Sequence, residues 1–145
     1  MALLTLPNLL LYSIPLAALL IYVPYSVVAI ARVSLARSLA DPMTVFAKPR
    51  TFNEKLPDYA QRANWAHQNA FESFALFAPA ALMAYITDQS GPLVLGAVIA
   101  YLIARLLFAV FYILNVPPLR SLMFGVGSLS IGTLYLLSCR SIWPT

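Results

Sequence analysis

The sequence predicts an all-α integral membrane protein, a four-helix bundle of up-down topology forming one domain over residues 1–145. Three observations carry that reading. Hydrophobic residues make up 61% of the 145 positions and charged residues only 10%, a balance outside the range of soluble domains. The apolar runs are continuous, whereas a transmembrane barrel needs alternation with a period of two. Clusters of Gly, Pro, Asn and Asp separate the runs, as turn residues should.

The first span is expected over about residues 9–36. Residues 9–31 carry no charged side chain, and roughly 20 apolar residues suffice to cross the hydrocarbon core. Because Met1-Ala2-Leu3-Leu4 lacks a basic region and the apolar run exceeds that of a secretory signal, the segment is expected to remain in the mature chain. A connection over about 37–58 follows. The second span is expected over 59–87, the third over 92–114 and the fourth over 118–138. Asp88-Gln89-Ser90-Gly91 and Asn115-Val116-Pro117 supply the two short turns. No tandem repeat, low-complexity tract or soluble domain interrupts the pattern.

Basic residues are distributed unevenly about these spans. Arg37, Lys48, Arg50 and Lys55 lie in the first connection and Arg120 follows the third span, whereas the other side offers only Arg140. The positive-inside rule then orients both termini away from the cytosol. The net charge of +4 is thus accounted for by topology and attraction to anionic head groups, and no soluble basic module is present to bind nucleic acid. Cys139 and His67 are the only residues of their types. A disulfide within the chain, a multi-cysteine metal site and a two-histidine metal site are therefore excluded, and no metal is expected.

The polar residues of the second span are the clue to function. From Phe74 to Thr87 the segment is apolar but too short to cross, so the membrane must take in part of residues 60–73. Counting back from Thr87 at 1.5 Å per residue puts Glu72 roughly 22 Å, Asn69 roughly 27 Å and His67 roughly 30 Å from the outer end. On the third span, counted from Pro92, Arg105 lies roughly 20 Å and Tyr112 roughly 30 Å deep. The depths match, and a short turn makes these spans antiparallel neighbours, so Arg105 is expected to neutralise Glu72. Asn69 and Glu72 stand at i and i+3; Arg105, Phe108 and Tyr112 stand at i, i+3 and i+7, so each group shares one helix face. Such a column either fastens the helices together or marks a site, and intramembrane ionisable residues usually mark a site. His67 points partly away from the Asn69 face and reads as an orienting or packing residue. Arg62 either joins the mouth of the site or caps it. The small residues Gly96, Ala100 and Ala104, and Ser128 with Gly132, read as close-packing faces.

The run Arg62-Ala63-Asn64-Trp65-Ala66-His67-Gln68-Asn69-Ala70-Phe71-Glu72, then Arg105 through Tyr112, then Pro118-Leu119-Arg120-Ser121 resembles the MAPEG family, the membrane-associated proteins in eicosanoid and glutathione metabolism. The shared features are four spans, a long first connection, Asn-x-x-Glu early in the second span, Arg-x6-Tyr in the third and Arg-Ser opening the fourth. The resemblance implies a homotrimer that binds glutathione between subunits near the cytosolic face. It implies a glutathione transferase or peroxidase acting on lipophilic electrophiles that enter from the membrane lipid.

Carried onto this chain, the resemblance assigns Asn69, Glu72, Arg105 and Tyr112 to glutathione binding, with Arg32 as a further contact to a glutathione carboxylate or else a snorkelling interfacial base. It assigns activation of the thiol to Arg120 or Ser121. Trp65 departs from the pattern, standing where several members carry arginine, and Phe108 replaces a polar residue of some isomerases. The alternative implied by the same family is a non-catalytic lipid-binding protein that presents fatty acid to a partner. A small transporter is disfavoured because no inverted repeat or broken helix pair is present. The chain is compact and carries no retention signal, which favours a bacterial inner membrane over the endoplasmic reticulum.

Overall fold

The computed structural model describes residues 6–143, so the reading of residues 1–4 lies outside it. Four long helices are α1 (Leu6–Arg37), α3 (Asp58–Ile86), α4 (Pro92–Ile113) and α5 (Pro117–Ile142), and the first connection contains a short helix, α2 (Met43–Ala47), and a 3₁₀ turn at Asn53–Lys55. All four long helices have the length and apolar composition to cross a membrane. Their bounds agree with the sequence reading within about three residues, except that α5 continues past Ser138 to Ile142.

The helix ends follow from local chemistry. At the end of α3, Asp88 takes φ 50° and the Gln89 N–H returns to Ala84 O at 2.9 Å; at the end of α4, Asn115 takes φ 58° and the Val116 N–H returns to Phe111 O at 2.9 Å. Both are left-handed caps of the Schellman kind, made by Asp and Asn, which tolerate positive φ better than other non-glycine residues. Gly91, at φ 100°, reverses the chain where an L side chain would be strained. Pro92 and Pro117 then open α4 and α5 in the first turn, where a missing N–H costs nothing.

Small side chains let the helices approach closely. Ala80, Ala81 and Ala84 of α3, Val94, Ala97 and Val98 of α4, and Ile131 and Leu134 of α5 bury together with Leu10 and Ala17 of α1. Phe77 and Tyr101 stack at 3.7 Å between ring centroids, and the Tyr101 hydroxyl pairs with the Ser73 hydroxyl at 3.2 Å. A second cluster of Val28, Ala31, Leu56, Ala60 and Ala63 seats the start of α3 against α1 and the connection.

Two of the three prolines inside α1 and α3, Pro24 and Pro79, have a donor from another helix in the turn before them. A helical proline disrupts the hydrogen bonds of the preceding turn, and in lipid no water repairs them. Three residues before Pro24, Ile21 O accepts from His67 Nδ1 at 2.9 Å; three residues before Pro79, Leu76 O accepts from the Tyr135 hydroxyl at 3.2 Å. His67 therefore has the packing and orienting place expected for it. Its Nδ1 carries the proton in this arrangement, because a carbonyl can only accept.

Candidate functional site

The column of polar residues comes together between α3, α4 and α5. Arg105 is 6% exposed, held in α4 among buried neighbours, and its Nη2 donates to Asn69 Oδ1 at 3.0 Å. Asn69 Nδ2 in turn donates to Glu72 Oε2 at 3.3 Å. The direct neutralisation of Glu72 by Arg105 is thus corrected: among the described residues no ion pair joins them, and the Asn69 amide relays between the two charges. The amide has the one geometry that serves both, an acceptor oxygen facing the cation and a donor nitrogen facing the anion.

From Arg105 the contacts continue along α4. Its guanidinium lies 4.4 Å from the Phe108 ring centroid, Phe108 meets Tyr112 edge-on at 5.4 Å, and the Arg120 guanidinium lies 4.5 Å over the Tyr112 ring. Cation–π contacts of this kind are worth roughly 0.5–2 kcal/mol, more where water is excluded. One chain of contacts therefore runs from Glu72 through Asn69, Arg105, Phe108 and Tyr112 to Arg120. Gly127 of α5 packs over Arg105: a Cβ there would sit in ordinary van der Waals contact, 3.5 Å from Arg105 Cδ.

Burial falls along this chain toward its ends. Arg105 and Phe108 are buried, Asn69, Tyr112 and Arg120 are half-buried, and Glu72 is exposed. Arg120 also stands in the first turn of α5, where the positive end of the helix dipole adds to its field.

The remaining sequence candidates stand apart from this chain of contacts. Arg32 Nη2 donates to Asn53 Oδ1 at 2.8 Å, and its Nε is buried without a partner among the described residues. Ser121 is exposed, and among the described residues its side chain makes no hydrogen bond to the residues above. Arg62 caps instead of joining the site: its Nε donates to Ile113 O at 3.0 Å, bringing the start of α3 beside the end of α4.

One participant escaped the sequence reading: Asn53 fixes Arg32 from across the connection, and its only signal was an amide in a polar loop. Phe108, placed by its spacing on the face of Arg105 and Tyr112, bridges the two. Trp65, one turn before Asn69, lines a polar hollow of about 310 Å³ together with Arg50, Asn53, Gln61, Asn64 and Gln68.

Four membrane-length helices with a charged relay between them define the class: a helical membrane bundle with an intramembrane polar site. A sequence model of the MAPEG family matches residues 9–140. The chain belongs to the MAPEG family. Searches of curated proteins and of solved structures gave no match.

Proposed function

We propose that this protein is a membrane-bound glutathione transferase or peroxidase that adds the glutathione thiolate to lipophilic electrophiles, working as a homotrimer. The observation that carries this reading is the chain of contacts from Glu72 to Arg120, which presents both signs of charge along one face. Glutathione carries one ammonium and two carboxylates. Glu72 complements the ammonium, and the cations along the face complement the carboxylates in surroundings of low dielectric.

The thiol needs separate help, because the thiolate is the nucleophile and an ordinary thiol has a pKa of about 8.5. Arg120 supplies it: a half-buried guanidinium, held over Tyr112 and beside the start of α5, stabilises negative charge on sulfur. With a chlorinated nitrobenzene the sulfur forms a bond to the ring carbon, chloride leaves, and the thiol proton passes to water. Glu72 is exposed in the single chain, which favours a pocket completed by a neighbouring subunit. Lateral entry of the electrophile makes the bilayer its reservoir.

The test is conjugation of glutathione to a chlorinated nitrobenzene by the detergent-purified protein. Arg120→Ala is expected to reduce kcat by about 10²-fold or more, the loss typical of removing one donor that stabilises developing charge. Arg105→Ala is expected to weaken glutathione binding, read as loss of its thermal stabilisation of the fold. A wild-type protein with neither turnover nor glutathione-dependent stabilisation would remove this reading and favour lipid presentation.

A further inference from the structure

We propose that the loop-side end of α1 holds an anionic phospholipid, its phosphate between Arg37 and Lys55 and one acyl chain along Ile30 and Val33. This site is separate from the relay above and does not depend on the glutathione reading. Two hollows meet there at Ser34. One, about 260 Å³, is lined by Ser34, Ser38, Lys55 and Tyr59 with Ala31, Leu35 and Pro57; the other, about 530 Å³, is lined by Ala29, Ile30, Val33, Ser34 and Arg37. Ile30, Val33, Ser34 and Arg37 stand at i, i+3, i+4 and i+7 of α1, so the second hollow follows one helix face.

Charge selects the ligand. Both hollows contain a cation and neither is lined by an acidic side chain. The nearby acids are otherwise placed: Asp41 accepts from the Met43 N–H and the Thr44 hydroxyl, and Glu54 lines the hollow at Trp65. Asp58 opens α3 as an exposed residue. The ammonium of Lys55 is located 4.8 Å over the Phe52 ring. Ser38 Oγ donates to Leu35 O at 2.7 Å, so its proton is already committed and is not counted toward the phosphate.

Apolar surface then selects a lipid over a free phosphate. Ile30 is 69% and Val33 40% exposed, directly below the cations in a helix of transmembrane length. A basic pocket at the membrane boundary with an apolar wall beneath it is the arrangement that holds an anionic lipid head group. Tyr59 adds an amphipathic ring of the kind enriched at that level.

The experiment is native mass spectrometry of the full chain in mixed phosphatidylglycerol and phosphatidylcholine. Wild type is expected to retain phosphatidylglycerol in preference, and inorganic phosphate is expected not to displace it. Each of Arg37→Gln and Lys55→Gln should lower retention about fivefold, the factor given by about 1 kcal/mol per basic residue near the surface. Ser34→Trp, which fills the neck between the hollows and changes no charge, should also abolish the preference. Lys48→Gln, an exposed loop base lining neither hollow, should leave it within twofold. Equal retention by Arg37→Gln, Lys55→Gln and wild type overturns the site. An equal loss with Lys48→Gln overturns it in favour of diffuse charge. Loss of self-association with unchanged lipid binding overturns it in favour of contact between copies, all read separately from glutathione turnover.

Discussion

Cutting the relay at its middle tests whether Asn69 holds a charge or only fills space. Asn69→Ala removes the oxygen that accepts from Arg105 at 3.0 Å and leaves that guanidinium, 6% exposed, with the Phe108 face and a distant carboxylate. Two magnitudes compete. Hydrogen bonds between transmembrane helices average about 0.6 kcal/mol and reach about 1.7, whereas a bond to a charged group contributes about 1.5–3 kcal/mol. The burial of Arg105 favours the upper part of the first range, so the expected loss is about 1.5 kcal/mol.

A double-mutant cycle separates the bond from the volume. Arg105→Met keeps bulk and removes the charge, leaving the half-buried Asn69 still bonded to Glu72. In the Arg105→Met background, Asn69→Ala should then cost about 0.5 kcal/mol, a coupling of about 1 kcal/mol. Equilibrium unfolding in mixed detergent and SDS measures all four proteins. Additivity to within about 0.3 kcal/mol would refute the relay and leave Asn69 as packing.

Three further outcomes follow from single positions. Gly91→Ala should destabilise by about 1–2 kcal/mol through its φ of 100° alone, since a Cβ there meets nothing within 4 Å, while the equally open but helical Gly96→Ala should be neutral or stabilising; the same unfolding assay reads both. Asn53→Asp should stabilise by about 0.5–1 kcal/mol, because a two-oxygen acceptor can satisfy both Nη2 and the buried, unpartnered Nε of Arg32. His67→Phe should cost about 1 kcal/mol by removing the bond from Nδ1 to Ile21 O that ties α3 to α1; a cost near zero in the same assay would mean that the contact is packing alone.

The sequence exposed the parts of this molecule that depend on period and length. Four spans follow from continuous apolar runs, and the depth match of Arg105 with Glu72 follows from a fixed rise per residue. What it could not resolve was which of several polar groups within reach of a cation would take the bond. Asn69 intercepts Arg105 because its amide can serve an acceptor-seeking and a donor-seeking neighbour at once, a choice made by rotamers and interhelical distance. Arg32 was legible as an interfacial base, yet its partner lies 21 residues away through a loop whose path no periodicity encodes. The bonds from His67 to Ile21 O and from Tyr135 to Leu76 O, in the turns before Pro24 and Pro79, have no signal in the sequence and are set by packing. The fourth span was expected to end at residue 138, and α5 continues to Ile142 because Arg140 carries a long side chain that can reach the interface.

Glu72 poses the sharpest physical question about the assembled protein. It is exposed in the single chain although it sits roughly 22 Å along the helix from Thr87, and an ionised side chain facing hydrocarbon is costly, about 2.5–3.5 kcal/mol at the bilayer centre and less toward the interface. Its hydrogen bond from the neutral Asn69 amide offsets only part of that. The face is therefore expected to meet water or another subunit instead of acyl chains. Glu72→Cys in a Cys139→Ser background, which removes the one native thiol, turns this into a measurement. Maleimide chemistry consumes thiolate, which requires a polar medium, so a charged, membrane-impermeant maleimide should label the substituted position when it is supplied on both sides of the membrane. Glutathione analogues lacking the thiol should slow that labelling by occupying the same face. Labelling only by a lipid-soluble maleimide would mean that the position faces acyl chains, and the intersubunit pocket would lose its anionic wall.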